Sequence, residues 1–186
     1  GEDVADARQR TLSRLPLDGH AVGQAALLQY LTEGDPSETL TLARRAVTLA
    51  PADPTGHLAR ARTAAHSGQY DEAAESYEGA LRGLRPVPTE LVTELLAALP
   101  SPELRARAIP ARADAIRTAV VTLLDQKRNI AALSLATELQ SRHEAEPAAH
   151  AEAVRAALAA GQPTLARIYA DLGFDQTNLD ISLLYY

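Results

Sequence analysis

The side chains that could do chemistry in this sequence are few, and their spacing does not suit it. There are five histidines, His20, His57, His66, His143 and His150. A zinc helix needs two histidines one turn apart with a glutamate between them, as in HExxH, or thiolates at close spacing. His143 is followed by Glu144, but the next histidine is His150, and the chain has no cysteine. The lack of cysteine also excludes disulfides and thiol catalysis. No glycine-rich phosphate loop, GxSxG elbow or kinase signature occurs. The carboxylate pairs Asp71-Glu72 and Glu144/Glu146 flank turn sequences. There they read as solvated helix starts, where negative charge suits the helix dipole. An enzyme reading has no positive support, and neither cofactor nor metal is expected.

Composition says which elements carry these residues. Of 186 residues, 46% are hydrophobic but only 4% aromatic, and alanine alone is about a fifth. Alanine and leucine without long β-branched runs favour close-packed helices over strands. A formal charge of -6 and a sequence pI near 5.4 argue against a general nucleic-acid surface, which needs clustered positive charge. No apolar run approaches the length of a membrane span, so no membrane insertion is expected from this segment.

An internal period decides the architecture. The segment Pro54 to Arg85 reads PTGHLARARTAAHSGQYDEAAESYEGALRGLR, two amphipathic runs around Ser67-Gly68-Gln69-Tyr70. Its skeleton is Ala61, Gly68, Tyr70, Ala73, Tyr77, Ala80 and Leu81, closed by Pro86. This resembles a tetratricopeptide repeat (TPR), a helix pair of about 34 residues. One repeat earlier, Gly34 aligns with Gly68, Ala43 with Tyr77 and Ala46 with Ala80, with Pro51 at the closing position. Later, Gly161, Ala166 and Ala170 keep the frame, preceded one repeat earlier by Ala132, Ala136 and Leu139, with Lys127 at the turn.

The frame divides the chain into a half-repeat (1–19), repeats 20–53 and 54–87, a degenerate short helix pair (88–112), repeats 113–146 and 147–180, and a tail (181–186). In the short unit, Thr89 to Leu99 forms one helix, and Ser101 caps the next with Pro102 in its first turn. Pro110 then stops that helix. One long kinked helix from Pro102 to Gln126 is the alternative. Because the frame opens in the second half of a repeat, we expect a piece of a longer bacterial array. The resemblance implies an all-α fold, a right-handed superhelix (α-solenoid) of antiparallel helix pairs with a concave groove.

The resemblance also implies where a partner sits. The family lines its groove with the first helix of each pair. The matching positions here include Gln24, Leu28, Leu31, Arg62, His66, Arg117, Val121 and Arg155. Arginine binds carboxylates through its planar fork, so a peptide bearing Asp or Glu fits such a floor. The positions that hold Lys, Arg and Asn in cochaperone-type carboxylate clamps carry Ala21, Ala25, Thr55, Ala59, Asp114 and Thr118, so that subtype is not expected. The apolar tail, QTNLDISLLYY, is a candidate for self-association. The expected function is a non-catalytic protein–protein interaction scaffold. Its possible settings are a bacterial envelope or exopolysaccharide (for example cellulose) export assembly, with the periplasm favoured over the cytoplasm. The alternative is a regulatory TPR domain of a cytoplasmic signalling or transcription protein.

Overall fold

A computed structural model describes residues 17–183, with side-chain surroundings through Phe174. The half-repeat expected over 1–19 lies outside the described residues except at its last positions, as do the side chains of the tail. Among the described residues there are ten helices and no strand. The chain forms two compact units, one running up to Arg85 with Ala97–Pro100, the other Pro86–Leu96 with Ser101 onward.

The first unit holds α1 (Gly19–Leu31), α2 (Pro36–Leu49), α3 (Pro54–His66) and α4 (Tyr70–Gly83). The starts are written in the sequence. Asp18 accepts from the His20 and Ala21 N–H groups, Asp35 from Ser37 and Asp53 from Thr55. Pro36 and Pro54 follow their caps at the first helical turn, where no N–H is missed. Short connections fold each pair back on itself, and α3 packs on both α1 and α2. Each pair is thus a TPR-like hairpin, stacked on the next through small residues.

The stacking contacts are built from alanine and glycine. Ala26, Ala43 and Ala59 form a cluster with no exposed surface. Where α1 meets α3 the backbones touch, since a Cβ on Gly23 would lie 2.9 Å from the Gly56 nitrogen; α2 closes on α3 as tightly, since a Cβ on Gly56 would lie 2.9 Å from the Ala46 Cβ. Ala-rich faces give up apolar area per residue, and gain helix axes close enough for many contacts. Tyr77, 1% exposed, is the large residue that fills the remaining space.

The turn chemistry differs from the sequence reading in the first pair. The repeat frame aligns Gly34 with Gly68, which has φ +72°. The left-handed residue is instead Glu33, at φ 55°, because this turn runs from Thr32 to Asp35 and holds one residue more than the Ser67–Gln69 turn. Gly34 serves packing: a Cβ there would come within 2.5 Å of the Gln29 Cγ.

The second unit holds most of α5 (Thr89–Ala98), then α6 (Pro102–Arg107), α7 (Ala113–Asp125), α8 (Asn129–Arg142), α9 (Pro147–Ala159) and α10 (Pro163–Leu183). Residues 102–126 form two helices rather than one kinked helix. The Ser101 hydroxyl caps α6 by accepting from the Leu104 N–H, and Pro110 falls in the break before α7. The His143 ring, 3.0 Å from the Ile109 carbonyl, ties the end of α8 to that break. α9 packs on α7 and α8, and Asn129 donates to the Ala159 carbonyl at 2.7 Å. Lys127 occupies the left-handed turn position at φ 56°, and Gly161 its counterpart at φ 71°.

Candidate functional site on the first helices of the pairs

The first helix of each pair (α1, α3, α7 and α9) carries every residue expected to face a partner. In the first unit Gln24 and His66 are exposed, Leu28 and Arg62 half-buried, and Leu31 is 64% exposed. Leu31 and His66 meet at the C-terminal ends of α1 and α3. There they line an open cavity of about 600 Å³ with Tyr30, Glu33, Pro36 and Thr63.

At the other end of the same face, Gln24 is already engaged. Its amide nitrogen lies 2.7 Å from His20 Nε2, and His20 Nδ1 lies 2.6 Å from the Asp53 carboxylate. If the amide N–H donates to Nε2, the ring proton sits on Nδ1 and donates to Asp53, so the network assigns the tautomer. Burial alone would raise the Asp53 carboxyl. Hydrogen bonds from the Thr55 N–H and hydroxyl and from His20 outweigh it and hold the group below its usual range. The helix cap of α3 therefore also orients a polar chain on α1.

In the second unit Arg117 on α7 and Arg155 on α9 converge on one carboxylate. Glu152 is 1% exposed, with Arg117 Nε 3.5 Å from one oxygen and Arg155 Nη1 3.3 Å from the other. Oε2 has no hydrogen-bond partner, so the contact with Arg155 is a charge pairing without bond geometry. The two arginine side chains remain 64% and 52% exposed. Each guanidinium carries five N–H donors, and Glu152 engages only part of this capacity. Val121 lies half-buried on α7, the same helix as Arg117. The arginines expected to wait for a partner's acid thus already share an internal one, and the trio keeps one net positive charge.

Other polar residues have structural roles. The sequence predicts a solvated helix start at Glu72. Its carboxylate is instead gripped by Arg44 on α2 at 2.6 Å and Arg60 on α3 at 2.7 Å, which ties three helices together. The hydrogen bond from Arg44, then that from Arg60, hold its pKa down to about 2 against the opposing effect of burial. His57 and His150 occupy matching positions. Each ring nitrogen Nε2 donates to a carbonyl in the preceding loop, Pro51 at 2.9 Å and Glu144 at 2.8 Å. Glycine makes room beside each ring: a Cβ on Gly79 would lie 2.4 Å from His57, and one on Gly173 3.0 Å from His150. Among the described residues no group of three or more His, Asp or Glu is placed to hold a metal ion. No helix among them is long and apolar enough to cross a membrane.

Two of these features were not anticipated from the sequence. The Gly23–Gly56 contact had a signal, since glycine within an Ala-rich helix marks close backbone approach. Glu152 and Arg155 had the signal of i,i+3 spacing on one helix, but the approach of Arg117 had none, because it depends on how α9 is rotated against α7.

No protein-family model matches the chain, and no curated protein matches it. Among solved structures the chain is similar to YrrB, described as a TPR protein with an unusual peptide-binding site. The identity is 17% and the TM-score 0.45, over 91% of this chain and 92% of that one. The chain's own helix pairs and turns carry its TPR-like fold.

Proposed function

We propose that this chain is a non-catalytic protein-interaction scaffold that holds a partner segment against the first helices of its pairs. In the first unit Gln24, Leu28, Leu31, Arg62 and His66 form the contact face; in the second, Arg117, Val121 and Arg155 do. The observation that carries the reading is the arrangement around Glu152. A buried carboxylate holds two largely exposed guanidiniums on neighbouring helices, which restricts their motion before a ligand arrives. Preorganised donors spend less entropy on binding. An acidic side chain of a partner segment is the chemistry they suit, through charge-assisted hydrogen bonds.

The setting we infer rests on resemblance: TPR arrays occur in bacterial envelope assemblies, exopolysaccharide export included, and an arginine-rich chain with a single lysine fits a bacterial source. Fractionation of the native host would test that placement.

For the binding face, the experiment is isothermal titration calorimetry against an acidic peptide library at several protein concentrations. The concentration series also reads self-association through the tail. Arg155→Gln and Arg62→Gln are suitable variants, since Arg117→Glu would set a second carboxylate against Glu152 and confound folding with binding. Each should weaken the selected peptide at least tenfold while the chain still melts cooperatively, with Arg155→Gln melting only a few degrees lower for the lost pairing with Glu152. Undiminished affinity in both variants would reject this face.

A further inference from the structure

The cavity that Leu31 and His66 share in the first unit has a charge of its own. These two are the last residues of α1 and α3, so two helix C-termini, the negative ends of their dipoles, meet at its rim. No basic side chain stands in the last turn of α1 to offset this, and Glu33 adds a full carboxylate to the lining. Among the described residues that line the cavity there is no lysine or arginine. The rest of the wall is largely apolar, with the Tyr30 ring, Leu31 and Pro36 beside Thr63.

Glu33 holds its place at a conformational cost. Its φ of 55° lies in the left-handed region, and it directly follows Thr32, the C-cap of α1. Gly68 and Gly161 directly follow the C-caps of α3 and α9 in the same conformation. A Cβ added at either glycine would meet nothing within 4 Å. A side chain at this turn position therefore enters open space, and packing does not require it. Lys127 holds the matching place after α7 with the opposite charge, so the turn itself does not require a carboxylate either. A strained residue without a packing duty is typical of ligand clamps.

We propose that this cavity takes a lysine or arginine side chain of a partner segment. The methylene stem lies along Leu31 and Pro36, and the charged head meets the Tyr30 ring, the Glu33 carboxylate and the two helix ends. The inference rests on the reading that the first helices hold a partner segment, and it assigns the first unit a basic group of that segment.

The probes are three blocked pentapeptides, Gly-Leu-X-Leu-Gly, with lysine, norleucine or glutamate at X. Each is titrated into the nitrogen-15-labelled whole chain at about pH 7.5, where an ordinary imidazole is uncharged. The lysine peptide should shift the Leu31, Glu33, Gly34 and His66 amides saturably, at least fivefold more tightly than the norleucine peptide. The glutamate peptide should leave them unmoved. Glu33→Gln should bring the lysine peptide to the norleucine affinity. Glu33→Gly should do the same, and its melting temperature, expected to rise as the turn loses strain, shows that the loss is not unfolding. Equal affinity for the lysine and norleucine peptides, or a lysine preference that survives both variants, would overturn the assignment while leaving these residues a contact face. No shift at these amides from any of the peptides up to about 10 mM would overturn it as well. The acidic-peptide titration with Arg155→Gln judges the scaffold reading separately.

Discussion

Removing both arginines that face Glu152 should cost more than the sum of removing either. Glu152 is 1% exposed, and its nearest cationic atoms lie at 3.5 Å and 3.3 Å. Unit charges about 4 Å apart attract by about 4 kcal/mol at an effective dielectric of about 20. Both guanidiniums are more than half exposed, so solvent screening brings each pairing down to about 1 kcal/mol. While one arginine remains the carboxylate keeps a countercharge. Arg117→Ala or Arg155→Ala alone should therefore cost about 1 kcal/mol. The double variant leaves a buried charge uncompensated, which costs about 3 kcal/mol or more. In a Glu152→Gln background no charge is stranded, and the same double removal should cost below about 1 kcal/mol. Urea unfolding at pH 7, followed by far-ultraviolet circular dichroism, supplies the cycle from midpoints at constant slope. Single costs that simply add, or a double cost that is equal in both backgrounds, would refute the reasoning.

Two further outcomes are expected. Glu72 has a folded pKa of about 2, below its unfolded value, so its pairing stabilises the protein above the unfolded pKa and is lost as pH falls toward 2. Glu72→Gln should cost about 1–2 kcal/mol at pH 7 after allowance for the exposure of Arg44. Its urea midpoint should converge on that of the native sequence as pH approaches 2, and a gap that persists there would disprove the linkage. Lys127 holds a left-handed conformation that disfavours a side chain by about 1–2 kcal/mol, whereas Gly161 holds the same place at no such cost. Lys127→Gly should raise the melting temperature and Gly161→Ala should lower it; equal melting temperatures would show that the turns carry no strain.

Much of the fold was legible because the signals are local. Asp53-Pro54 and Ser101-Pro102 mark helix starts by cap and fixed φ, and Gly68 and Gly161 mark turns by positive φ. Alignment of Gly34 with Gly68 did not reveal that the left-handed residue of the first turn is Glu33, because that turn holds one residue more. Which residues stand on the first helices was also legible, since Gln24, Arg62, Arg117 and Arg155 all emerge there with exposed or half-buried side chains. What those side chains already hold was not. His20 reaching Asp53, and Glu152 drawing in Arg117, join residues about a full repeat apart, and such contacts are set by the rotation and separation of neighbouring helices. Glu72 shows the same gap. Its place in the first turn of α4 was apparent, but its grip by arginines from α2 and α3 needed the packed structure.

The alanine contacts between hairpins bear on how the protein responds to temperature. Unfolding an ordinary domain raises the heat capacity by about 12–15 cal/mol/K per residue, in proportion to the apolar area newly wetted. Helices that meet through Ala26, Ala43, Ala59, Ala136 and Ala153 wet less of it when they part. A smaller increment flattens the curve of stability against temperature and moves cold unfolding further below freezing. The close approach of these helices therefore implies a low, broad plateau of stability in place of a narrow optimum.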